Sequence, residues 1–169
     1  MTREMHFRWI IRAILGIVTL LLLGWIGNGV LVPSGVFVAR HDSGKPSPWV
    51  RDLWPPLHVY PPEEGQDGVL RQRVVVSPVT VRVRLPRASF RSVDVSLAVD
   101  AIPPGSTVAV ERHLHRQDYL TVPLLNGHAT LPLQGVFQHD RDLQFMFTFP
   151  GLTRNAPVVV QSFQFRFIR

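Results

Sequence analysis

His113 and His115 stand two residues apart in a stretch of alternating character, and Asp118 follows three residues later. On a strand, side chains two apart leave the same face, so both imidazoles would point one way with a carboxylate at the turn beyond. Two imidazoles and a carboxylate form a chelating set for zinc or a similar divalent ion. The competing reading is a solvated strand end, because Glu111, Arg112 and Arg116 surround the pair with charge. A third nitrogen ligand would have to come from His128 or His139, and no fixed spacing ties either to the pair. The expectation is therefore no resident metal and no other cofactor, with His113, His115 and Asp118 as the candidate ligands.

In outline the pair resembles the metal motif of the cupin barrels, which likewise has two histidines one residue apart, followed by an acidic ligand. The resemblance covers only these few residues. The acid here is Asp118, which arrives earlier than in that pattern, and the glycines and later histidine of the pattern are not in register. What the resemblance implies is a metal-dependent jelly-roll enzyme using His113 and His115, the enzymatic alternative to a binding protein.

Other catalytic chemistry finds less purchase. There is no Gly-x-Ser-x-Gly elbow for a serine hydrolase and no glycine-rich phosphate loop. Asp140 and Asp142 form a spaced carboxylate pair, but Asp is common in turns for its own backbone hydrogen bonds. Cysteine is absent, which excludes disulfides, thiolate metal sites and a thiol nucleophile. The net charge is +6, almost all of it arginine, and removing Arg3, Arg8, Arg12 and Glu4 leaves 15 basic and 11 acidic side chains. So slight a surplus does not suggest a nucleic-acid partner. Partner-binding candidates are Trp49 and Trp54, the latter in Trp54-Pro55-Pro56-Leu57, where proline favours an extended recognition conformation. Arg82 and Arg84 join them as members of an arginine set with 71, 73, 87 and 91 that would suit acidic glycans, lipid headgroups or an acidic protein.

These residues need elements to position them. From Ala13 to Ile26 the only polar side chain is Thr19, and the apolar run reaches Val32 before Pro33. About 20 such residues in a helix match the roughly 30 Å hydrocarbon core of a bilayer. Residues 1–8 then read as a cytoplasmic tail and 9–32 as a transmembrane signal anchor in contact with the lipid bilayer, with Trp9 and Trp25 near its ends. Arg3, Arg8 and Arg12 precede the span and no basic residue follows until Arg40, which places the N-terminus in the cytoplasm and the rest of the chain beyond the membrane. Signal cleavage near Gly27-Asn28-Gly29, giving a secreted binding domain, is the competing reading; the length of the run favours the anchor. Gly16, Gly24 and Gly27 permit close helix approach, but no two stand four apart.

Residues 33–68 read as a proline-rich juxtamembrane segment, with prolines at 46, 48, 55, 56, 61 and 62 that exclude regular helix and central strand. Trp49, Leu53, Val59 and Tyr60 among them predict partial packing on a domain. From 69 to 169 the period is two. Val79, Val81, Val83 and Leu85 share one face, as do Val93, Val95, Leu97 and Val99, and two stripes, Phe145, Phe147, Phe149 and Phe163, Phe165, Phe167, read as core. Asn126-Gly127 between Tyr119–Leu124 and His128–Leu133 signals a hairpin. The expected fold is all-β, a β-sandwich or jelly roll of seven or eight strands. The functional expectation is a non-enzymatic, membrane-anchored extracytoplasmic accessory or binding subunit at a cell envelope, engaging another envelope protein or an acidic glycan.

Overall fold

A computed structural model describes the chain except residues 1–2, 31–34, 52, 54, 87, 113–117 and 137–141; in the N-terminal helix, side chains are described at 9 and 11–24. That helix, α1 (Arg3–Val30), runs for 28 residues. Leu20, Leu21, Leu22 and Leu23 are all exposed although consecutive, so the apolar surface goes round the helix instead of forming one stripe. The hydroxyl of Thr19 donates to the carbonyl of Leu15 at 2.8 Å, which satisfies it within the helix.

Among the described residues no helix is long and apolar enough to cross a membrane. The rest of the expected span, 25–32, lies outside the described side chains.

The remainder is an all-β sandwich of two antiparallel sheets. Sheet 1 has the order β2 (Glu63–Glu64), β3 (Leu70–Val74), β10 (Val158–Ile168), β5 (Ser92–Val99), β8 (His128–Pro132), with β1 (Val36–Asp42) also paired to β10. Sheet 2 has the order β4 (Val79–Arg84), β9 (Asp142–Thr148), β6 (Thr107–Glu111), β7 (Tyr119–Pro123). Ten strands among the described residues exceed the expected seven or eight because two lie before position 69: β1, over the apolar residues from Val36, whose partner lies at the other end of the chain, and the two-residue β2. Strand β10 is long enough to hold β3 along Val158 to Val160 and β1 along Ser162 to Ile168.

Alternation fills the space between the sheets. Val79, Val81 and Val83 from one sheet meet Val93, Val95 and Leu97 from the other, and all six phenylalanines of the two stripes are at most 1 % exposed. Phe145 and Phe165 meet across the core with ring centroids 4.7 Å apart, and Phe147 and Phe163 at 5.3 Å. Each such buried ring contributes roughly 1.5–3 kcal/mol.

The proline-rich stretch closes one side of the sandwich. The Ser47 hydroxyl donates to the Arg40 carbonyl of β1 at 2.9 Å, while Arg84 N–H of β4 donates to the Trp49 carbonyl at 2.7 Å and Arg51 N–H to the Arg82 carbonyl at 2.9 Å. Val50 and Leu53 are buried beneath it. Edge strands of both sheets are thereby covered without a further full strand.

Asn126 and Gly127 close the other side, and here the structure corrects the hairpin expectation. The turn forms, with φ of 50° and 82° and paired Leu125–His128 backbone bonds of 2.9 and 2.8 Å. Its flanking strands nevertheless belong to different sheets: β7 pairs with β6, and β8 with β5. Tertiary bonds pull them apart, since Leu124 N–H donates to the carbonyl of Ser106, just before β6, and Leu97 N–H of β5 donates to the Gly127 carbonyl. The glycine is required twice over, by its positive φ and because a Cβ would lie 2.7 Å from the Leu97 carbonyl oxygen.

Candidate functional site

The pleat that sends Val93, Val95, Phe165, Phe167 and Leu131 inward sends their neighbours to the outer face of sheet 1. The register then aligns them across three strands. Arg166 of β10 stands opposite Asp94 of β5, which stands opposite Thr130 of β8. Two residues along, Gln164, Ser96 and His128 form a second row. Rows about 7 Å apart on strands about 4.8 Å apart give a grid of six polar side chains. β1 extends it, with Arg40 beside Gln164 and the Arg40 Nε donating to Asp42 Oδ1 at 2.9 Å.

Two bonds within the grid cross from β5 to β8. The Thr130 hydroxyl donates to Asp94 Oδ1 at 2.8 Å, and Ser96 Oγ lies 3.1 Å from His128 Nδ1. The six residues line an open groove of about 810 Å³, bounded on one side by Val122, Pro123 and Leu125. Arg166 offers up to five donors in a planar fork, Asp94 offers acceptors, and Gln164 and His128 offer both. The set suits a ligand dense in hydroxyl groups with an occasional carboxylate. It does not form a hydrolytic triad, because the carboxylate of Asp94 holds Thr130, whereas a triad needs the carboxylate on the histidine.

Among the described residues the one strongly shifted carboxyl lies elsewhere. In the turn between β2 and β3, Arg71 grips both oxygens of Asp67 at 2.7 Å and the Val69 N–H adds a third bond at 3.1 Å. The Arg71 side chain holds the Asp67 carboxyl well below the usual carboxylate range, and Asp67 in turn raises Arg71. This is a surface turn lock, outside the groove.

The residues singled out from sequence are scattered. His113, His115 and Trp54 lie outside the described residues, as do Arg87, Arg116, His139 and Asp140. Asp118 is exposed beside β7, its carbonyl accepting from Arg112 N–H at 2.8 Å. Among the described residues no group of three or more His, Asp or Glu is placed to hold a metal ion. Trp49 packs edge-on against Phe37 with centroids 5.1 Å apart and keeps 38 % exposure. The described arginines do not form one set: Arg71 and Arg73 belong to β3 in sheet 1, Arg82 and Arg84 to β4 in sheet 2. The pairs diverge because the chain passes from one sheet to the other between Val74 and Val79. Arg82 Nε donates to Gln144 Oε1 at 3.3 Å, and Arg84 faces Asp142.

Sequence reasoning missed the grid. Its members stood in plain view as the polar phase of two strong alternating runs, but their alignment depends on pairing β5 with strands about 35 and 70 positions further on, which no local pattern specifies.

No family model and no curated protein matches the chain. Among solved structures it is similar to the crystal structure of FlhE, at 13% identity and a TM-score of 0.36 over 78% of this chain and 93% of that one. It is also similar to a family two carbohydrate esterase from Cellvibrio japonicus, at 8% identity and a TM-score of 0.38 over 79% of this chain and 34% of that one. The chain thus spans about a third of the esterase's length. Likenesses this low carry no argument about function.

Proposed function

We propose that the protein is a non-enzymatic, membrane-anchored binding subunit of a cell envelope, which displays the sandwich beyond the membrane and takes an acidic glycan on the outer face of sheet 1. The observation that carries the reading is the two-row grid of Arg166, Asp94, Thr130 and Gln164, Ser96, His128 along an open groove. Sugar hydroxyls both donate and accept, so they pair with such a mixture, and Arg166 supplies the bidentate partner for a uronic-acid carboxylate.

Anchoring is supported by the 28-residue length of α1, about 42 Å at 1.5 Å per residue, which exceeds the hydrocarbon core. The arginines at 3, 8 and 12, with none from 13 to 39, support an N-terminus in the cytoplasm. The test is calorimetric titration of the full chain in lipid nanodiscs with uronic-acid and neutral oligosaccharides. Saturable binding of the acidic oligomer, weaker for the neutral one, is expected. Absence of heat with both would remove the glycan reading.

A further inference from the structure

The two ends of the sandwich differ in charge, and the difference follows the chain's entry point. β1 begins at Val36, six positions after the end of α1, and pairs there with Ile168 at the end of β10. Arg169 N–H donates to the Gly35 carbonyl at 2.9 Å and Arg91 N–H to the Ile168 carbonyl at 2.8 Å, so both arginines lie at this same end. Arg84 closes β4 at the same level, bonded through its N–H to the carbonyl of Trp49. Trp49 packs edge-on against Phe37, the second residue of β1, and Phe37 packs on Phe90, beside Arg91.

One corner therefore carries three exposed guanidinium groups, at Arg84, Arg91 and Arg169, and a tryptophan with 38 % exposure. None of the ion pairs among the described residues involves these arginines. Among the described residues the acidic neighbours are Asp142, cross-strand from Arg84, Asp94, two positions into β5 and bonded to Thr130, Asp118 beside β7 at the opposite edge of sheet 2, and Glu111, which is buried. At the far end, the described residues 75–78, 100–106, 124–127 and 149–157 carry only Asp100 and Arg154 as charges.

We infer that this corner rests on the anionic lipid headgroups of the bilayer that α1 enters, an inference that depends on the anchor reading above. Indole rings favour the membrane interface, where the apolar ring and the N–H are both satisfied, and arginines near an anionic surface are attracted over about 10 Å at 0.1 M salt. Val36 follows the end of α1 by six positions, at most about 20 Å of extended chain, so the corner lies at the end of the sandwich nearest the bilayer. The result is a fixed posture: the end joined to α1 faces the lipid and the groove of sheet 1 opens sideways along the membrane.

The chain has no cysteine, so single-cysteine labels report cleanly. Ser89→Cys, in the loop between β4 and β5, and Asn155→Cys, at the far end, would each carry a fluorophore in the full chain reconstituted into nanodiscs with a headgroup-attached quencher. With phosphatidylglycerol present, Ser89→Cys should be quenched more strongly than Asn155→Cys, and the difference should vanish in discs of phosphatidylcholine alone, at high salt, and in the Arg84→Glu, Arg91→Glu, Arg169→Glu variant. Salt leaves the native arginines in place, so the test stands even if the triple variant misfolds. Equal quenching of the two labels in a chain retained by the disc would overturn the docking inference and leave the anchor intact. A chain not retained by the disc would overturn both.

Discussion

The outer faces of the two sheets are made by the same alternation, yet they present different surfaces. On sheet 1 the register lines up Arg166, Asp94 and Thr130, then Gln164, Ser96 and His128, with hydrogen bonds tying β5 to β8. On sheet 2 polar groups meet between β4 and β9, where Arg82 donates to Gln144 and Arg84 faces Asp142, but the row beside them is Thr80, Met146, Ala109 and Thr121, whose two middle members are apolar, with Ala109 only 1 % exposed. Polarity alternates along each strand in both sheets, but only register decides whether polar groups meet polar groups across strands. A recognition surface can therefore arise on one face of a sandwich and not on the other.

The two faces share one core, and the largest effect should show it. Phe165 sits between Gln164 and Arg166 in sequence and packs on Phe145 of sheet 2. Phe165→Ala should cost about 3–5 kcal/mol of unfolding free energy, read by denaturant titration, and should loosen both faces together. A loss confined to sheet 1 would mean that the sheets are less coupled than the packing implies.

Gly127→Ala comes next and should divide the faces. The positive φ and the 2.7 Å approach to the Leu97 carbonyl oxygen make the substitution strained, at a cost of about 1–3 kcal/mol. Because the strain falls on the crossing into β8, amide exchange should accelerate along His128–Pro132 and Ser92–Val99 and leave β4 and β9 unchanged. Smaller again is the effect on binding. Arg166→Ala should weaken the acidic oligosaccharide by roughly tenfold, the loss of about one charge-assisted hydrogen bond, while Arg82→Ala on sheet 2 leaves affinity unchanged. Equal losses from the two would erase the distinction between the faces.

The smallest effect concerns the turn lock. The folded Asp67 carboxyl titrates below its unfolded value, so its contribution is present above the ordinary carboxylate range near pH 4 and is lost as the pH falls through the folded value. Asp67 is exposed, so only a slight loosening of the β2–β3 turn is expected at pH 3, seen as faster amide exchange at Val69. Asp67→Asn should show that looser turn at both pH 3 and pH 7.

Legibility from sequence followed the range of the interaction. The paired phenylalanine stripes and the valine runs gave the sandwich because period two is local, and each strand's buried phase follows from its own residues. β1 is not legible locally because its four apolar residues from Val36 do not alternate and open a proline-rich segment; they form a strand only through β10, more than a hundred positions away. Asn126-Gly127 is legible as a turn, but its local pattern places both flanking strands in one sheet, because the bonds from Leu97 and Leu124 that separate them are tertiary. His113 and His115 stand out because unusual residues lie close in sequence, while the grid brings together ordinary residues distant in sequence.

The most direct test of the central claim is the hydrogen-exchange footprint of a uronic-acid oligomer on the full chain in nanodiscs. Protection should concentrate on Ser92–Val99, His128–Pro132 and Val158–Ile168, with Val79–Arg84 and Asp142–Thr148 unaffected. Protection on β4 and β9 instead, or no footprint at saturating ligand, would contradict the assignment of sheet 1 as the binding face.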